Sequence, residues 1–167
     1  MIFLLLFGAS VVLLFGSSLL FGPPYLPTLN KQVKESIKML NLKPDQVLFE
    51  LGSGDGRLLV AAAENGVKCI GAEINPVLVL YSKIRCRKYK GLVTVLWKNY
   101  WKLSLSSADA IYVFGLGRVM AKLDKKIVQE ITRPVTVVSF AFKFPNRKPD
   151  RVVDGLMIYK FTPKASR

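Results

Sequence analysis

Eight residues, Glu50-Leu51-Gly52-Ser53-Gly54-Asp55-Gly56-Arg57, constrain this chain more than any others. They follow a short apolar run, Val47-Leu48-Phe49, and precede a helix-forming run, Leu58-Leu59-Val60-Ala61-Ala62-Ala63. The pattern predicts a strand, a tight glycine turn and a helix. A second apolar run, Cys69-Ile70-Gly71-Ala72, then ends at an acid, Glu73. A glycine turn lets backbone approach a nucleotide-like ligand closely, and a carboxylate at the end of the next strand can accept both hydroxyls of a ribose. The spacing is GxGxG rather than GxGxxG, and Glu50 opens it. An acid there suits a cationic ligand with a free ammonium and no phosphate, such as S-adenosyl-L-methionine; it would repel the pyrophosphate of NAD.

The rest of the chain continues the alternation. A strand is expected over 46–49, a helix over 57–64 stopped by Asn65-Gly66, and a strand over 67–72. Asn75-Pro76 then starts a helix reaching about Tyr89, with Asn75 as cap and Pro76 at its first position. Further strands are expected over 93–96, 110–114, 135–140 and 156–161, and a helix over 118–131. Residues 144–150 read as a loop. Strands alternating with helices give a parallel α/β sheet covered on both faces. No helix separates the last two strands, so an antiparallel pair is expected at that end.

Ahead of this domain, 46–167, lie two other segments. Ile2 to Phe21 is uncharged and contains seven leucines. About 20 apolar residues span a bilayer core, so residues 1–21 read as a membrane anchor. A cleaved signal peptide fits less well, because the stretch has neither a basic start nor an A-x-A site. Every Lys and Arg follows the span, beginning at Lys31, which by the positive-inside rule puts the domain on the cytoplasmic or matrix-like side. Residues 22–45 read as a proline linker and a lid helix: Pro23, Pro24 and Pro27 forbid helix, and Thr28 then caps a helix with Val33, Ile37 and Leu40 on one face.

The net charge of +14 falls on residues after the span. Without a recognisable nucleic-acid motif, the charge points to an anionic lipid surface rather than to nucleic acid. The cations from Lys83 to Lys90 at a helix end are the clearest group for that role, although some must be ordinary solvated charges. With no histidine, and with Cys69 and Cys86 far apart in sequence, neither a zinc site nor a His-based triad is expected. Candidate ligand residues are therefore Glu50, Gly52, Ser53, Gly54, Asp55, Gly56 and Arg57 in the turn, and Glu73, Ile74 and Asn75 after the second strand. Asn99, just past the third strand, could read an adenine amino group; Tyr100 and Trp101 could cover the base or pack under the sheet. Asp55 is either an ordinary turn acid or a holder of ligand waters.

Five segments together resemble a known family. They are Pro24-Tyr25-Leu26-Pro27-Thr28, the glycine motif, Gly71-Ala72-Glu73-Ile74-Asn75-Pro76, Tyr81-Ser82 and Trp101-Lys102. They look like the seven-strand, Rossmann-like lysine methyltransferases that act on the ATP synthase c-subunit and the adenine nucleotide translocase. Glu50 and Asn99 depart from the aspartates usual there, and the chain leaves little room after the fifth strand, so that the sheet could be truncated. The resemblance implies S-adenosyl-L-methionine as cofactor and in-line methyl transfer to a lysine of a membrane protein. It also implies an active-site group of Tyr25, Thr28 and Trp101, with Tyr25 and Thr28 closing over the methyl donor. A small or lipid-like acceptor, or a binding protein without catalysis, are the alternatives.

Overall fold

The structure is a computed structural model that describes residues 28–164. The uncharged span, the proline linker and Tyr25 lie outside the described residues. Among the described residues no helix is long and apolar enough to cross a membrane.

The order of elements is α1 (Asn30–Leu40), β1 (Val47–Leu51), α2 (Arg57–Ala63), β2 (Lys68–Glu73), α3 (Pro76–Arg85), β3 (Val93–Trp97), β4 (Ala110–Val113), α4 (Gly117–Glu130), β5 (Val135–Phe140), β6 (Arg151–Val153) and β7 (Leu156–Phe161). They form one seven-stranded sheet in the order β3-β2-β1-β4-β5-β7-β6. β1 pairs in parallel with both β2 and β4, and β5 pairs antiparallel with β7. The chain order reverses between β1 and β4, so a crevice opens where the carboxyl ends of these strands diverge.

The central strands are buried on both faces, which is why β1 and β4 read as continuous apolar runs rather than alternating ones. One face packs α1 and α2 in a core that includes Val33, Leu40, Leu48, Leu58 and Leu59. The other packs Met120 and Leu123 of α4 against Phe49, Ile111 and Phe144. α1 therefore belongs to the helical layer of the sheet.

Several expectations need correction. Leu29, not Thr28, is the N-cap of α1, and no side chain caps that helix. β1 and β2 run past their expected ends to Leu51 and Glu73, because parallel pairing with their neighbours continues there. α3 ends at Arg85 and gives way to a 3₁₀ turn, Cys86–Tyr89. The sheet is not truncated. The missing strand is β6, a three-residue edge strand joined to β7 through Asp154-Gly155, both at positive φ. Arg151-Val152-Val153 is too short to show periodicity in sequence.

Candidate functional site

The glycine turn is held open by bonds to the strand beside it. The Gly52 and Ser53 amides both donate to the Ala72 carbonyl, at 2.9 and 3.1 Å. Gly52, Gly54 and Gly56 all take positive φ, a region that other residues enter at a cost. At Gly52 a Cβ would meet nothing within 4 Å. The space in front of that backbone is therefore open to a ligand. Gly71, on β2, does a different job: a Cβ there would lie 2.6 Å from Leu59 and 2.8 Å from Ser53, so its absence lets the turn lie flat on the sheet.

Three carboxylates crowd this end of the sheet, each buried and each in a different state. Glu73 accepts three backbone donors: Gly54 at 2.9 Å on Oε2, and Ile74 and Asn75 at 2.8 Å on Oε1. It clamps the turn to the start of α3, whose first turn is capped by Asn75 Oδ1. A ribose diol would have to share these oxygens through their remaining lone pairs. Asp55 lines the cleft and is paired. Its Oδ2 lies 2.7 Å from Arg57 Nη2 and 2.6 Å from Arg85 Nη1, and Arg57 donates onward to the Thr28 carbonyl at 2.7 Å. Arg85, expected among the solvated cations of the helix end, thus points inward. Glu50 differs from both. It is buried, and its Oε2 has no hydrogen-bond partner. Burial first, then the nearby Asp55 and Glu73 charges, pushes its carboxyl well above the ordinary carboxylate range.

These groups line a cleft of about 500 Å³. Of the candidates named from sequence, all within the described residues except Gly56 line it; Gly56 sits below as the N-cap of α2. Asn99 is at the rim, where its Oδ1 accepts from the Trp101 amide at 3.0 Å and caps a 3₁₀ turn, Tyr100–Lys102. Tyr100 and Trp101 pack against each other with ring centroids 4.9 Å apart, and Lys122 Nζ lies 4.5 Å from the centre of the Trp101 ring.

The opposite wall was not anticipated. It comes from the ends of β4 and β5: Tyr112, Phe114, Leu116 and Phe142. Burial pushes the Tyr112 hydroxyl up to about 12, so it stays a neutral donor. Phe142 is aimed by a tight turn after β5, in which Ala141 takes φ +66° and Ser139 Oγ donates to the Phe142 carbonyl at 2.6 Å. The signal that could have found this wall is positional. Phe114-Gly115-Leu116 follows β4 directly, at the carboxyl edge where doubly wound sheets place their ligands.

The cleft suits a cationic nucleoside-like ligand. Glu50 brings a carboxyl with an unpartnered oxygen, Gly52 offers open backbone, and the far wall is largely aromatic, with Arg118 beside it. Comparison with known proteins agrees with this description. The family model described as "ANTKMT methyltransferase domain" matches residues 50–151. The human lysine N-methyltransferase of the ATP synthase c-subunit is 34% identical over 131 residues, covering 77% of this chain and 56% of that protein. A protein-lysine N-methyltransferase of Saccharolobus islandicus is 29% identical over 141 residues, covering 80% of this chain and 88% of its own. Among solved structures, an RNA methyltransferase from Salinibacter ruber in complex with S-adenosyl-L-homocysteine superposes with a TM-score of 0.76 at 28% identity, covering 85% of this chain and 97% of that one. The chain spans a little over half the length of the vertebrate relatives it matches.

Proposed function

We propose that this chain, which belongs to the ANTKMT methyltransferase domain family, uses S-adenosyl-L-methionine to methylate a lysine amine of a membrane-associated protein. The observation that carries the reading is Glu50, a buried carboxyl with one unpartnered oxygen, in the lining of a cleft whose far wall is largely aromatic. When bound, the cofactor supplies an electrophilic methyl group on a sulfonium.

The residues divide the work. Glu50 gives up its proton to pair with the ligand's ammonium, and Glu73 with the Gly52 backbone places the ribose side. Ile74, Asn99 and Tyr100, all in the lining, would hold the base. The aromatic wall admits the stem of a lysine while disfavouring its charge, which lowers the acceptor's pKa and frees the lone pair that attacks. The wall would leave the acceptor amine neutral to receive the methyl group, with the sulfonium sulfur as leaving group, its surplus proton then passing to solvent. Holding the amine about 3 Å from the methyl carbon is the main source of rate. No side chain here is needed as a general base. Tyr25 and Thr28 are proposed to close over the donor.

The uncharged 2–21 stretch is proposed to anchor the chain, with the domain on the cytoplasmic or matrix-like side against anionic lipid. The names of the vertebrate relatives support a membrane-protein acceptor, and the Saccharolobus name supports lysine more broadly.

The test is to incubate the full chain with membranes, total RNA and methyl-labelled donor, then locate the label by mass spectrometry. Methyl-lysine in a membrane protein is the expected product. Label in RNA, as the Salinibacter neighbour's name would suggest, overturns the lysine reading, as does label only in lipid or small molecules. Saturable donor binding with no labelled product leaves a binding protein and overturns catalysis.

A further inference from the structure

The surface beside the cleft carries an apolar face that the methyl-transfer reading does not use. On α3, Val77, Leu80, Tyr81 and Ile84 recur at the spacing of one helix face, and all four are exposed. Leu80 is 62% exposed, Ile84 54% and Tyr81 51%. Trp97, at the end of β3, is 66% exposed and is joined to the start of this face by a 3.0 Å bond from its Nε1 to the Ile74 carbonyl. The longest described helix shows what an ordinary solvated face looks like here: α4 exposes Arg118, Lys122 and Lys125, and no large apolar side chain. A contiguous apolar face on a small domain marks a contact surface.

We propose that the outward face of α3, with Trp97, is a docking surface for an anionic bilayer, laid against the headgroup layer with its apolar side chains inserted.

Three observations select that occupant. The first is charge. From Ile74 to Ala108 the sequence contains no Asp or Glu, while Lys83, Arg87, Lys88, Lys90 and Lys98 are exposed in that stretch. Lys83, Arg87 and Lys90 rim a depression against the edge of β3, a place for headgroup phosphates. The second is side-chain type: a tryptophan and a tyrosine among aliphatics, bordered by cations, is the composition of a helix lying in a membrane interface. The third is where the chain goes. Thr28, the first described residue, bonds through its carbonyl to Arg57, which pairs with Asp55, which pairs with Arg85, whose Nη2 donates to Tyr81 at 3.1 Å. Thr28 is therefore tied to Tyr81 on this face through three side chains. Residues 22–27 alone separate Thr28 from the uncharged stretch. Six residues reach at most about 20 Å. A membrane that holds the 2–21 stretch is thus within reach of α3.

The inference rests on the membrane placement proposed above and adds an orientation: the first turn of α3, with Ile74 and Asn75 in the cleft lining, would lie close to the lipid surface.

The test uses the full chain in vesicles of phosphatidylcholine, with and without phosphatidylglycerol, and lipids brominated near the headgroup as quenchers. The chain has two tryptophans, so Trp97→Phe leaves only Trp101. Expected are quenching of Trp97 that is about threefold stronger with phosphatidylglycerol and falls with added salt, its loss in Trp97→Phe, and its loss in Leu80→Asp/Ile84→Asp with donor binding unchanged. A chain that floats with vesicles but shows no quenching of Trp97 overturns the docking face and leaves the anchor standing. A chain that does not float overturns both. Equal quenching in neutral vesicles overturns the anionic preference. A dimer dissolved by Leu80→Asp, with Trp97 unquenched by lipid, assigns the face to a second copy and overturns the proposal. So does a raised KM for a detergent-solubilised protein acceptor without lipid quenching, which assigns it to a protein partner.

Discussion

Where β1 and β2 end, the cleft is walled by backbone amides, three carboxylates and their partners; where β4 and β5 end, it is walled by Tyr112, Phe114 and Phe142. The polar wall fixes a ligand through hydrogen bonds whose donors and acceptors are already aimed. The aromatic wall fixes nothing by itself, but it excludes water and penalises charge. One wall recognises and the other conditions reactivity. If that division is right, damage to the first should appear in stability and donor affinity, and damage to the second in turnover.

The largest effect is expected within the polar wall, at a residue that need not touch the ligand. Asp55 holds Arg57 and Arg85 at once, with its own side chain 7% exposed. Asp55→Ala leaves two inward cations unpaired and releases Thr28 from the turn. Breaking a fully buried pair costs 3–5 kcal/mol; because the two arginines remain 27% and 30% exposed, about 3 kcal/mol is expected here. Urea unfolding measures it. A loss under about 1 kcal/mol would mean that the arginines find water instead, and the polar wall is looser than its bonds suggest.

Next come the two carboxylates that differ in satisfaction. Glu50→Gln removes the group that would pair with a ligand ammonium, and should weaken donor binding by about 2 kcal/mol, roughly thirtyfold in Kd. Its effect on the ligand-free fold has the opposite sign. The folded carboxyl titrates above its ordinary value, so its favourable contribution is complete below about pH 4.5 and is lost as pH rises through the folded value. The glutamine never ionises. Glu50→Gln should therefore gain stability relative to the parent as pH rises above that range, and donor binding to the parent should release a proton, seen as buffer-dependent heat. Buffer-independent heat would place Glu50 outside the ligand's reach. Glu73→Ala should cost both affinity, by about 2 kcal/mol, and stability, since three amides lose their acceptor. A loss of affinity alone would show that the clamp holds without it.

The aromatic wall is probed by Phe142→Ala. A smaller, wetter wall should lower kcat/KM about tenfold while donor Kd stays within about twofold. Its pH–rate profile should move upward, because the acceptor ammonium keeps its proton longer. Equal losses in donor affinity and turnover would erase the division between the walls.

The two walls also differ in how far sequence alone reveals them. The polar wall is dense in residues whose spacing has a mechanism: glycines at turn intervals, an acid one strand-helix-strand unit later, an Asn-Pro helix start. Even there, spacing did not say which carboxylate would take the backbone amides, which be paired and which left over, because Arg85 comes from a helix thirty residues away and only packing brings it to Asp55. The aromatic wall is built from strand ends that look like core. Tyr112 sits in a fully buried strand, and Phe142 faces the cleft only because Ala141 accepts a left-handed turn. The parallel part of the sheet was legible because its strands are continuous apolar runs. β6 was not, because three half-exposed residues carry no period.

Asn99 offers the smallest and finest test, because it lines the cleft and also caps the turn after β3. Its side chain is already committed to capping the Tyr100–Lys102 turn, and that turn carries Trp101 toward the cleft. Losing a cap typically costs about 1 kcal/mol. A single 3₁₀ turn at the rim is also held from behind: Lys126 Nζ donates to the Leu103 carbonyl at 2.8 Å and to the Trp101 carbonyl at 3.2 Å. Asn99→Ala should therefore lower stability by about 0.5 kcal/mol, while donor Kd rises only a few-fold. Asn99→Asp keeps an oxygen for the Trp101 amide and for an adenine amino group, so it should match the parent in both measurements. If Asn99→Ala leaves donor affinity unchanged, neither the oxygen nor the N–H of the side chain reads the ligand, and a loss confined to Asn99→Asp reports the added charge. Adenine would then be read by the backbone beyond it, with the Asn99 oxygen serving only the turn.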